Sequence, residues 1–181
     1  MTHLNGSVIR NNRYLSPDGN DLAASMLFGL ANAGRTMQGG IGPVSTPNGQ
    51  TFKLELSNPV DSGRSLNIER LRVFADTVDE FLELRVNATA GKPSTLLSAV
   101  PGKLSAPAGL GLLKYDVNAT AMTGGVVQQW KLPFTRGSLY EFDALGTRIV
   151  PPGVSVGVQM SNTSGSSSNI VIVVDWIELD L

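Results

Sequence analysis

The sequence predicts an all-β chain: a single jelly-roll-like β-sandwich of about eight strands, preceded by an N-terminal arm that contains a short helix. Three observations predict it. From Thr51 to Val86 apolar and polar residues alternate with period two, the mark of strands buried on one face. Similar stretches recur at short spacing towards residue 181, separated by Gly, Pro, Asn and Ser turns. The 181 residues include 20 Gly and 10 Pro but no Cys, which suits many short strands joined by turns and excludes disulfides and thiolate metal sites.

The organisation expected is an arm and linker over residues 1–50, with a short helix near 21–34, followed by a β-sandwich over 51–181. Residues 1–20 are polar, with Arg10, Arg13 and the turn Ser16-Pro17-Asp18-Gly19. In 21–34, Leu22, Met26 and Leu30 share one helical face. Asn20 or Asp21 would cap the start of that helix and Gly34 would end it. Two placements remain open for it: packed on its own barrel, or docked on a neighbouring subunit. Residues 37–50 read as a linker whose glycines serve turns. Gly39-Gly40-Ile41-Gly42-Pro43 is no phosphate loop, because no Gly-Lys-Ser/Thr follows.

The first strand places Phe52, Leu54 and Leu56 on one side and Lys53, Glu55 and Ser57 on the other. Asn58-Pro59 ends it, since Pro cannot donate to a ladder, and Gly63 supplies a turn. Leu66 and Ile68 resume the alternation, and Leu71 and Val73 continue it out of phase. A bulge is therefore expected near Glu69-Arg70. Leu82, Leu84 and Val86 form the third strand. Residues 91–111 read as a long irregular connection. Further strands are expected around Leu113–Val117, Val126–Phe134, Leu139–Phe142, Arg148–Val150 and Val154–Met160. Residues 161–169 read as a polar hairpin tip. The last strand, 170–179, is apolar on both faces: Ile170, Ile172, Val174 and Trp176 on one, Val171, Val173 and Ile177 on the other. Its outer face needs a cover, from a subunit interface or from the arm of the same chain.

No catalytic, cofactor or metal site is expected. Net charge is -1, from 14 Lys plus Arg and 15 Asp plus Glu, too little positive field for a protein that coats nucleic acid. His3 is the one His, on a terminus ill placed to anchor a zinc site or a triad. Asp76, Asp79, Glu80 and Glu83 lack the dense ligand spacing of a calcium loop and read as a solvated acidic turn. Glu83 and Glu141 have nothing to mark them as a glycosidase pair. The Asn-x-Ser/Thr triplets at Asn5, Asn87, Asn118 and Asn162 read as chance matches, because no signal peptide is expected at the N-terminus. The run Leu22 to Ala31 is too short for a bilayer, which takes about 20 residues. No membrane partner is expected.

Three stretches carry a resemblance: Ser57-Asn58-Pro59 through Arg70, Ile149-Val150-Pro151-Pro152-Gly153 through Gly157, and Val173-Val174-Asp175-Trp176-Ile177-Glu178. Together, over roughly residues 51–181, they resemble small jelly-roll virion proteins of tailed bacteriophages, the capsid decoration or cement proteins. The arm, residues 1–40, departs from that pattern. The resemblance implies a non-enzymatic structural protein that binds the outer capsid surface as a homotrimer, contacts the major capsid protein and stabilises the shell. It would be assembled in the host cytoplasm and located on the virion. Multivalent attachment would give such a trimer avidity beyond any single contact. The alternative is a phage fibre or receptor-binding module that binds host surface carbohydrate through exposed aromatics. Its candidates are Tyr14, Tyr115, Trp130, Tyr140 and Trp176, of which the two Trp sit inside strand patterns and read better as core.

Overall fold

A computed structural model describes residues 3–4, 7–10, 13–15, 29–77, 81–90, 95–103, 105–133 and 135–181. Within 3–15, and at 81, 126–133 and 144–147, it describes the backbone only. The fold is all-β and its two main sheets are antiparallel. Three short strands, β1 (His3–Leu4), β2 (Ser7–Arg10) and β3 (Arg13–Leu15), pair in that order as a small sheet of their own.

The expected helix falls mostly outside the described residues, which contribute a helical turn at 29–32. That turn closes at Gly34. Gly34 has φ +71, its N–H donates to Ala31 O at 2.9 Å, and the Arg35 N–H reaches back to Leu30 O at 2.8 Å. That double closure around a left-handed glycine satisfies the carbonyls that a helix end leaves open.

The next segment differs from expectation. Residues 37–50 are not a linker. Most of them form β4 (Thr36–Thr46), an 11-residue strand. β4 pairs along β14 (Ser168–Asp180), from Thr36 opposite Ile177 to Thr46 opposite Ser168. The glycines are there for close approach rather than for turns. A Cβ on Gly39 would stand 2.7 Å from Leu113 Cδ2 and 3.3 Å from the Trp176 ring. A Cβ on Gly40 would stand 2.6 Å from the Ile172 carbonyl oxygen. The small residues on β4 make room for the large ones on β14, as interiors at native packing density require.

The remaining strands are β5 (Thr51–Ser57), β6 (Arg64–Ala75), β7 (Phe81–Val86), β8 (Thr95–Leu97), β9 (Val100–Pro101), β10 (Leu112–Asn118), β11 (Val126–Pro133), β12 (Leu139–Val150) and β13 (Ser155–Ser161). One sheet runs β11-β7-β13-β5-β10-β8 and the other β12-β6-β14-β4-β9. The two pieces expected at 139–142 and 148–150 are one strand, β12, interrupted in register between Asp143 and Arg148. The bulge expected near Glu69-Arg70 is present. Arg70 faces Asp175 and Ile68 faces Trp176, so Glu69 is the extra residue. It shifts the side-chain phase, which is how Leu66, Ile68, Leu71 and Val73 all reach the core.

That core lies between the two sheets. Phe52, Leu54, Leu56, Leu113, Val158 and Met160 come from the first, and Leu66, Val73, Ile170, Ile172, Val174 and Trp176 from the second. Each such side chain contributes about 1.5–3 kcal/mol on burial. The connection at 91–111 also contributes strands: β8 extends the first sheet beside β10, and β9 extends the second beside β4.

Candidate functional site

The stretches that carry the resemblance meet at one end of the sandwich. Asn58 follows β5, is 2% exposed, and joins the β5–β6 turn to the β12–β13 turn. Its N–H donates to Val154 O and its carbonyl accepts from the Gly153 N–H, both at 2.9 Å. Its side-chain amide donates to Arg64 O at 2.7 Å and to Val150 O at 2.9 Å. Gly153 takes φ +78, a conformation that only glycine adopts cheaply. The end of β14 joins the same region. Arg64 bonds Glu178 at 3.0 Å and Asp180 at 3.1 Å, and the Leu181 N–H donates to Gly63 O at 3.2 Å.

Glu178 is fully buried. Its Oε1 accepts from the Leu110 N–H at 2.7 Å, the Gly111 N–H at 3.0 Å and Trp176 Nε1 at 3.4 Å. Its Oε2 takes Arg64. A buried charge is tolerated where donors surround it, and here they tie the 109–111 segment to the sandwich. Asp180 lies in the open. Burial would raise its carboxyl, but the hydrogen bonds and charge of Arg64 and Arg35 hold it below the ordinary value.

The opposite end is pinned by Asn162, also fully buried. Its amide donates to Thr46 O at 2.6 Å and Ser166 O at 2.8 Å, and its Oδ1 accepts from the hydroxyl and N–H of Ser164. Nearby, Asp76 accepts from Ser168 Oγ and from both nitrogens of Asn169, at 2.8–2.9 Å. Burial pushes that carboxyl up, and the hydrogen bonds more than reverse it.

The outer face of the β5–β13–β10 region overturns one reading of β5. Lys53 and Glu55, expected on the face away from the core, are 1% and 6% exposed, and Gln159 beside them on β13 is 6% exposed. Segments after β7 and β10 cover them, joined by a bridge between Thr89 and Thr123. Glu55 Oε2 accepts from the Ala90 N–H and Gln159 Oε1 from the Met122 N–H, both at 2.8 Å. Met122 lies over Gly157, so close that a Cβ there would collide with its methyl. Lys53 Nζ donates to Asn118 Oδ1 at 2.7 Å and Thr120 O at 2.8 Å, and pairs with Asp116 at 3.2 Å. Period two shows that these residues share a face; it carries no signal for the cover.

The other sheet's outer face is half polar and half apolar. Asp175 takes Arg72 at 2.6 Å and Gln38 at 2.8 Å, and Arg70 pairs with Asp143 and Glu141. Glu69 lies beside these. Its burial, then Asp143, raise its carboxyl above the ordinary value against the pull of Arg70. Along the same face Gly40, Gly42, half-buried Val171 and Val173 and exposed Val100 line a shallow groove.

The residues weighed in the sequence distribute as follows. Asp76 serves a turn and Glu83 pairs with Arg85 at 2.6 Å; Asp79 and Glu80 lie outside the described residues. Among the described residues no group of three His, Cys, Asp or Glu comes together. Glu141 is exposed and beside Arg70. Trp176 is 1% exposed. Tyr115 stacks on Phe52 at 6.3 Å and Tyr140 packs on the core. The side chains of His3, Tyr14 and Trp130 are outside the described ones. An apolar gap between the sheets, lined by Leu54, Leu71, Leu82, Phe142 and Val174, holds about 40 Å³, a fraction of a ligand pocket. No described helix is long and apolar enough to cross a membrane. Set against protein-family models, curated proteins and solved structures, the chain matches none of them.

Proposed function

We propose that this chain is a jelly-roll capsid decoration protein of a tailed bacteriophage, acting without catalysis as a homotrimer on the outer shell. The observation that carries the reading is the strand order. Leaving out β8, β9 and β10, the eight strands from β4 to β14 fall into two sets, β4-β14-β6-β12 and β5-β13-β7-β11, and in chain order they alternate between the sets except at β7 and β11, which follow one another and pair within the second. An order of this kind supports a double Greek key wound into a jelly roll. The meeting of the three resemblance-carrying stretches at one end adds support. They act there as one bonded unit built around Asn58, Gly153 and Arg64, rather than as scattered turn signatures.

The strip of Gly40, Gly42, Val171 and Val173 is where the trimer contact is assigned. It runs along the seam of β4 and the doubly apolar strand β14, where the glycines of β4 carry no side chain to hold another backbone off. The carbohydrate-binding alternative has less behind it, since Trp176 and Tyr115 are turned into the core.

The test is the mass of the full chain in solution by light scattering, followed by co-sedimentation with phage heads stripped of decoration protein. A trimer that sediments with heads is expected. A monomer that stays in the supernatant overturns the reading.

A further inference from the structure

Beneath the cover formed after β7 and β10, three side chains are held in a reactive arrangement. Lys53 and Asp116 are direct partners across β5 and β10, 1% and 9% exposed. Asn118 lies two residues further along the same face of β10. Lys53 Nζ is 2.7 Å from Asn118 Oδ1 and 3.2 Å from Asp116 Oδ2. The same Asp116 oxygen touches Asn118 Nδ2. The Thr120 N–H donates to Asn118 Oδ1 at 2.8 Å, and Thr120 O accepts from Lys53 Nζ at 2.8 Å.

We propose that Lys53 and Asn118 condense into an intramolecular isopeptide bond, with Asp116 as the proton carrier. Each part of that reaction has a residue in place. Asp116 takes a proton from the Lys53 ammonium and leaves a free amine beside the Asn118 carboxamide. The amine attacks Cγ, and the charge that develops on Oδ1 is held by the Thr120 N–H. Asp116 then carries protons to Nδ2, the nitrogen it already touches. The Cγ–Nδ2 bond breaks and the Nζ–Cγ bond stays. Lys53 gives up two protons in all and the leaving nitrogen gains two, so it departs as ammonium and Asp116 is again a carboxylate. No oxidant, metal or cofactor is needed. The remaining N–H of the new amide points to Thr120 O.

The uncatalysed condensation is slow in water. Here the partners are fixed in contact, which replaces a bimolecular encounter, and the attacking amine and its proton carrier are buried while Asn118 is half-buried. The competing description of the same atoms is an ammonium satisfied by three acceptors. It differs in one measurable way, the mass of the protein. This inference is independent of the virion reading.

The experiment is intact-mass spectrometry of the purified full chain, with allowance for removal of Met1, followed by tryptic mapping. The expected mass is lower than that of the sequence by about 17 Da, one ammonia. Trypsin should fail to cut after Lys53, and peptides Thr36–Arg64 and Tyr115–Lys131 should appear joined. Asp116→Ala should restore the full mass and separate the peptides. Asn118→Asp should form the bond with loss of water, about 18 Da. Full mass in the folded wild-type chain, fresh and after prolonged incubation, overturns the proposal. So does a mass loss that maps to Asn48-Gly49, where a succinimide would give the same difference. Both readings come from the wild-type protein, so neither depends on a variant that folds.

Discussion

Replacing Asn58 by Ala tests whether one side chain holds the convergent end of the sandwich together. Asn58 is 2% exposed and its amide donates to Arg64 O and Val150 O at 2.7 and 2.9 Å. The substitution removes two hydrogen bonds, each worth about 1 kcal/mol net, and leaves two carbonyls short of a donor at about 1–3 kcal/mol for a fully buried one. An offset exists: Asn58 Oδ1 has no partner among the described residues, and the substitution removes that buried acceptor. The low end of the range follows, about 2 kcal/mol. With a urea slope near 2 kcal/mol/M, the unfolding midpoint should fall by about 1 M at unchanged slope. Ser57→Ala, which loses an exposed 3.3 Å bond to Leu112 O, is the control and should cost under about 0.5 kcal/mol. Asn58→Asp should be worse than Ala at neutral pH, because it turns a carboxylate oxygen toward two carbonyls. Its deficit should shrink in acid as that carboxyl is protonated. An Asn58→Ala midpoint within error of the wild type would refute the argument.

Gly40→Ala places a Cβ 2.6 Å from a backbone oxygen and 2.9 Å from Val173 Cα; a loss of about 2 kcal/mol or more in denaturant unfolding is expected. Gly157→Ala meets only the flexible end of Met122 and should cost less in the same assay. Asp76 has a carboxyl depressed below its ordinary 3.8. Its contribution is present above that value and lost as pH falls through the lower folded value, so Asp76→Ala should flatten the acid side of a melting-temperature profile. Glu69 has the opposite sign, raised above 4.5. Its ionised form costs stability once pH passes the folded value, so Glu69→Gln should raise the melting temperature at neutral pH and match the wild type well below 4.5.

Much of the sandwich is legible in the sequence where alternation is clean. Phe52, Leu54 and Leu56, and Ile170, Ile172 and Val174, are core residues as their spacing requires. The phase change between Ile68 and Leu71 locates the bulge at Glu69. Legibility fails where a residue's role is set by something far away in the chain. Gly39 and Gly40 read as turn residues because a glycine that yields to Trp176 or to the Ile172 backbone looks the same in one dimension as a glycine that bends. β12 reads as two pieces because its register breaks between Asp143 and Arg148. Lys53 and Glu55 read as solvated because alternation separates two faces without saying whether the second is also covered. The candidate site was the least legible part. Asn58, Gly153 and Glu178 are each ordinary in their own stretch, and their contacts span most of the chain.

The place of β14 carries a consequence for the order in which the protein can be made. It lies between β4 and β6 and bonds both along most of its length, yet it is translated after every strand it touches. Until it emerges from the ribosome, β4 and β6 have no common neighbour, and Gly39 faces a gap where Trp176 belongs. The first sheet waits in the same way, because β13 stands between β5 and β7 and is made just before β14. The second sheet, and with it half of the core, must close after synthesis has passed residue 168. Pairings of such wide sequence separation are slow, and the nascent chain carries the open apolar sides of β4 and β6 through that interval. Binding to a chaperone, or crowding with identical chains, would act in this window.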